Sequence, residues 1–131
     1  MEFITLLLVS FLFGGMLLFS VGFGTLSFKF LEASTARAFI RKSFPYFYGY
    51  VLIVSALIVL FSFNISNLTA ALACSIFITT IPASVVLMPA INKASDAKQK
   101  RKFVLLHTAS VFITLFHIIV SAILLYLIFT V

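Results

Sequence analysis

Charge is what this chain has least of. Of its 131 residues 9% are charged and 63% are hydrophobic, with a mean hydropathy of +1.28. A soluble domain carries about 25% charged residues, so this composition excludes a soluble fold. Acids are scarcer still: Glu2, Glu32 and Asp96 are the only three, all at ends or in connectors. There is no carboxylate pair, no Ser/His/Asp arrangement, no Gly-rich phosphate loop and no CxxC, which argues against catalysis by this chain alone. Cys74 is the only cysteine and lies in an apolar stretch, so no internal disulfide forms and the redox compartment is unreadable. The two histidines, His107 and His117, stand about 15 Å apart along a helix axis. Zn–N bonds are about 2 Å, so the pair cannot hold one metal ion or both faces of one haem. No third histidine exists to complete a bis-histidine haem in a monomer, and no bound metal or cofactor is expected. A His117–His117 bridge across a two-fold axis stays open.

What is present is long apolar sequence. No Asp, Glu, Lys or Arg occurs from Phe3 to Phe28, from Ser43 to Asn92, or from Phe103 to Val131. Crossing a hydrocarbon core of about 30 Å takes about 20 apolar residues, so the outer stretches hold one span each and the middle one two. The middle stretch divides at Asn64-Ile65-Ser66-Asn67, a cluster of turn-favouring polar residues. The sequence therefore predicts one membrane domain over 1–131. It is an all-α four-helix bundle with spans of about 3–28, 45–63, 67–91 and 103–129. Asn64 and Asn67 each open a glycosylation pattern, but a turn pressed against the bilayer reads as a polar turn. The first segment lacks a positive start and is too long for a secretory leader, so it is expected to be retained.

All nine basic residues lie in or beside the first and third connectors: Lys29, Arg37, Arg41 and Lys42, then Lys93, Lys98, Lys100, Arg101 and Lys102. Short basic loops stay on the cytoplasmic side, so both termini are expected outside. An integral protein of a bacterial inner membrane is the expectation, with an organellar membrane as the alternative. The pI near 9.8 does not point to nucleic acid, because the basic residues flank spans and have no separate domain. Anionic lipid headgroups are the expected partner for Arg37, Arg41, Lys42, Lys100, Arg101 and Lys102.

Within the spans, Ser10, Gly14, Gly15, Ser20, Gly22 and Gly24 make small-residue steps that let membrane helices approach closely. Residues of about 31–43 read as a short amphipathic helix in the headgroup plane. Ser34 or Thr35 would cap it, Ala36, Phe39 and Ile40 form one face, and Arg37, Arg41 and Lys42 another. Pro45 suits the first turn of the second span. Pro82 frees the carbonyl of Ile78, which Thr79 or Thr80 is placed to compensate. In the fourth span His107, Ser110, Thr114, His117 and Ser121 fall within about 80° of one another at 100° per residue. A polar stripe facing lipid is costly, so it should face the interior. It then serves either as interhelical hydrogen bonds or as a site for a metal, haem, quinone or proton.

Gly14-Gly15, Phe44-Pro45-Tyr46-Phe47, Met88-Pro89-Ala90-Ile91-Asn92 and Phe103 through Leu106-His107 to Ser110 occur in that order. This arrangement resembles the small tetraspan family typified by transmembrane protein 205, a domain of unknown function, over about Gly14 to Thr114. The resemblance implies a four-helix membrane bundle, with Asn92 and His107 as family-like polar positions near one end. It implies no reaction. The chain departs from the family pattern at Thr114, where an Asn is usual, and at Gly22 and Gly24, where a proline is common late in the first helix.

Two functional classes follow. The first is a non-enzymatic protein that works by helix association, as an accessory or assembly subunit of a membrane complex or by self-association. The second is a binding or transport module built on the stripe of the fourth helix. A self-contained transporter is disfavoured, because alternating access usually uses two repeats.

Overall fold

Three short interruptions cut the apolar chain into four rods. In the computed structural model, which describes residues 1–131, these are α1 (Glu2–Phe30), α2 (Ala33–Ser62), α3 (Asn67–Asp96) and α4 (Lys100–Phe129). Each holds 29 or 30 residues, about 45 Å at 1.5 Å per residue. That exceeds the hydrocarbon thickness, and at the end with the basic connectors the helices carry charged residues such as Lys29, Arg41, Asp96 and Arg101. All four are long and apolar enough to cross a membrane, the architecture of an integral membrane protein.

Each interruption has a local cause. Leu31 turns extended, with φ −116° and ψ 154°, and α2 begins after Glu32. The second falls at Phe63-Asn64-Ile65, after which the Ser66 hydroxyl accepts from the Thr69 backbone N–H at 3.1 Å and caps α3. The third uses Lys98, whose φ of 55° is left-handed. The N–H groups of Lys98 and Gln99 reach back to the carbonyls of Ser95 and Ala94 at 3.1 and 3.0 Å. This is a Schellman ending with lysine where glycine is usual.

The first connector differs from the sequence reading. Residues 33–43 are not a separate surface helix: they are the opening turns of α2, which runs unbroken to Ser62 with Pro45 inside it rather than in its first turn. No glycine or extended residue separates the segments. The hydrogen bond missing at Pro45 frees the carbonyl of Arg41, an exposed residue near the basic end where water reaches it. The N-cap is Glu32, not Ser34 or Thr35, and its side chain makes no capping bond.

The helices pack antiparallel in sequence order and α1 closes on α4, making a ring of four. Leu12 and Met16 of α1, Ile58 of α2, Ile76 of α3 and Leu124 of α4 are fully buried at its centre. Outside, Phe3, Tyr46, Leu105, Phe112 and Phe129 remain exposed, the apolar exterior that lipid solvates. A bidentate pair joins Arg41 to Asp96 at 2.7 and 2.9 Å, tying the start of α2 to the end of α3. Both basic connectors therefore lie at one end of the bundle.

Two helices widen into a π turn, α1 over Leu18–Phe23 and α3 over Ala83–Leu87. The second follows Pro82. Neither threonine compensates Ile78 as expected: Thr79 Oγ1 donates to the Ser75 carbonyl and Thr80 Oγ1 to the Ile76 carbonyl, each at 2.6 Å. The backbone instead accommodates the proline by loosening its winding. Of the α1 glycines only Gly15 meets another helix, since a Cβ there would sit 2.7 Å from Tyr50 Cζ. Gly14 and Gly24 have open space around them.

Candidate functional site

The polar stripe of α4 turns inward over most of its length. Ser110, His117 and Ser121 are buried and Thr114 is half-buried. His107 is not brought in. It lies in the second turn of α4, exposed, with its ring stacked on Phe103 at 5.6 Å between centroids. Near the end of the bundle fewer neighbours flank the helix, so the face that is interior at His117 is open there.

Three buried members of the stripe meet different neighbours. Ser110 faces the Tyr48 hydroxyl of α2. Ser121 turns back on its own helix and donates to the Ile118 carbonyl at 2.8 Å. His117, 3% exposed, reaches across to α3, where its Nε2 lies 2.7 Å from Thr79 Oγ1. Thr79 has one hydroxyl proton, and the Ser75 carbonyl 2.6 Å away can only accept it. Both bonds exist together only when His117 Nε2 carries a proton and donates. The tautomer is thus set by a backbone carbonyl one turn up α3, relayed through a hydroxyl. Pro82 and the π turn begin one turn below Thr79, so this crossing lies where α3 departs from regular winding.

Chemically the arrangement is spare. The ring meets a hydroxyl, with no carboxylate to orient or charge it, and no three His, Cys, Asp or Glu side chains converge in the fold. Of the family-like pair, Asn92 is half-buried near the end of α3 and His107 is exposed at the start of α4, and no hydrogen bond joins them. At the basic end Arg37, Lys42, Lys100, Arg101 and Lys102 are exposed. Arg41, expected among the headgroup contacts, is also exposed and pairs with Asp96.

Sequence reasoning did not find Thr79 as the partner of His117. Thr79 is one of several hydroxyl residues along α3, with Ser75 and Thr80 beside it, and its position near Pro82 pointed to the wrong carbonyl. Nor did it find Tyr50, whose hydroxyl donates to the Phe11 carbonyl across α1 and α2. That bond depends on helix register, which composition does not carry.

No curated protein and no solved structure matches this chain. One family model does, described as a domain of unknown function (DUF4149), over residues 7–100. The match takes in nearly all of α1, the whole of α2 and α3, and stops at the first residue of α4, so Thr79 lies inside it and His117 beyond it. With most of its length and three of its four helices covered, the chain belongs to the family of DUF4149 domains.

Proposed function

We propose that this is a non-enzymatic integral membrane protein that works by helix association, as an accessory or assembly subunit of a membrane complex. One observation carries the reading: His117, the one histidine, acid or base buried in the bundle, is spent on a hydrogen bond that joins α3 to α4. A ring engaged in packing is an interhelical tie of the kind membrane bundles use. The acids fit the same reading, since Asp96 is engaged by Arg41 and none of the three approaches the histidine. The exposed small positions of α1, Ser10 and Gly14, leave a smooth stretch on the outer face for a neighbouring helix.

Within the domain family, the chain is proposed to sit with the tetraspan proteins typified by transmembrane protein 205. Its basic connectors are proposed to face the cytoplasm of a bacterial inner membrane, by the positive-inside rule. Native mass spectrometry of the protein released mildly from its own membrane tests the functional reading. A bare chain travelling inside a larger assembly is the expected result. Extra mass matching a haem, quinone or metal on an otherwise single chain would instead make the stripe a ligand site. That second reading draws on the burial of His117 near mid-bundle, where ionisable residues are functional candidates by default. Sidedness is checked by cysteine labelling: Asn64→Cys should react from outside and Lys98→Cys should not.

A further inference from the structure

Between α1 and α2 lies a cleft of about 360 Å³, walled by α1 from Gly15 to Phe23 and by α2 from Ser43 to Tyr50. Ligand pockets start at about 300 Å³, so it is large enough for a narrow molecule. The π turn builds one wall, since Leu18, Phe19 and Phe23 all belong to it. Such turns recur at functional sites. Phe19 is sandwiched in near-parallel stacks, 4.9 Å from Phe23 and 4.2 Å from Phe47, which gives the cleft a flat aromatic side.

Apart from the hydroxyl of Tyr46, an exposed residue at its rim, its polar side-chain atoms are already used. Ser43 Oγ donates to the Phe39 carbonyl at 2.7 Å, and the Tyr50 hydroxyl donates to that of Phe11. Inside, then, an occupant meets hydrocarbon and ring faces only, which suits a chain and not a headgroup. At the mouth the chemistry reverses. Phe23 and Ser43 mark the end nearer the α1–α2 connector, where Lys29, Arg37 and Lys42 face only Glu32 as a nearby acid in the connector. The chain's one ion pair is the Arg41–Asp96 link. Basic residues beside a gap between membrane helices complement an anionic headgroup.

We propose that this groove holds one acyl chain of an anionic glycerophospholipid, with the phosphate at Lys29 and Lys42 and the chain running toward Gly15 and Tyr50. The inference rests on the bilayer placement of the chain and not on any partner subunit. The test uses the full chain in phosphatidylcholine nanodiscs doped with a phosphatidylglycerol that carries a photoactivatable acyl chain. Cross-links are mapped by mass spectrometry. Labels should concentrate between Gly15 and Phe23 and between Ser43 and Tyr50, and unlabelled phosphatidylglycerol should compete better than phosphatidylcholine. Ser43→Phe, which fills the mouth, should remove them. Lys29→Gln with Lys42→Gln, both exposed, should leave the fold intact and cut the anionic preference by about fivefold per lysine. Labels spread evenly over the lipid-facing side of α4, or equal competition by both lipids, would show an ordinary lipid annulus and overturn the site alone. Loss of the wild-type chain from the alkali-washed membrane fraction would overturn the bilayer placement, and the site with it.

Discussion

The two hairpins of the bundle are joined by different means. Between α1 and α2 the contacts are rings: Phe11 on Tyr50, Phe19 on Phe44 and Phe47, Phe23 on Phe39. The single side-chain hydrogen bond there ends on a backbone carbonyl. Between α3 and α4 no aromatic pair crosses, and a histidine–threonine bond takes that role. Lipid removes the hydrophobic drive for helices to associate, leaving packing and hydrogen bonds. The first hairpin relies on the former and the second adds the latter. Because packing scales with contact area while a membrane hydrogen bond is worth about 0.6 kcal/mol, the aromatic hairpin should be the stronger one. Each prediction that follows probes that ranking.

The largest effect is expected at Phe47, 7% exposed and stacked on Phe19. Phe→Ala in a core costs about 3–5 kcal/mol. The transfer part of that cost shrinks when the alternative solvent is lipid, so about 3 kcal/mol is expected for Phe47→Ala. Reversible unfolding in mixed micelles would measure it, and a loss below about 1 kcal/mol would mean that the ring stack is not what joins α1 to α2.

Next comes Gly15→Ala. The added methyl meets Tyr50, whose ring is held at its far end by the Phe11 carbonyl and edge-on by the Phe11 ring. Overpacking of this kind costs about 1–3 kcal/mol. Gly14→Ala, one position away in open space, should be close to neutral. If the two variants melt together, Tyr50 swings aside and the contact is soft. A third change should stabilise: Lys98→Gly relieves a left-handed residue in the α3–α4 turn, for a gain of about 1 kcal/mol.

Much of this architecture is legible in the residues. Charge-free stretches mark four apolar helices because a buried unpaired charge in lipid is prohibitive, and Asn64 with Ser66 marks the middle turn because those side chains compete for backbone groups. The interior face of α4 from Ser110 to Ser121 follows from helical period alone. Other features are set by tertiary register. Pro45 reads as a helix start, yet a proline costs little where the freed carbonyl is near water, so α2 runs through it. The π turn over Leu18–Phe23 has no proline to announce it. Asp96 reads as a loop acid until α2 brings Arg41 to it. Thr79 reads as a proline compensator until α4 brings His117 within reach.

The smallest expected effect also gives the sharpest comparison of packing with ligand binding. Thr79→Val keeps the shape of the side chain and removes its hydroxyl, so the His117 ring loses its partner and the Ser75 carbonyl loses a second donor. His117→Leu removes the ring and leaves Thr79 bonded within α3. If the pair is only an interhelical tie, a double-mutant cycle should return a coupling of about 0.6 kcal/mol, and less than about 1.7 kcal/mol. The single variants should then assemble and insert like the parent. A coupling well above that ceiling, or a loss of native assembly in His117→Leu without a matching loss of stability, would mean that the histidine does more than join α3 to α4. The polar hairpin would then be the working half of the molecule and the aromatic hairpin its scaffold.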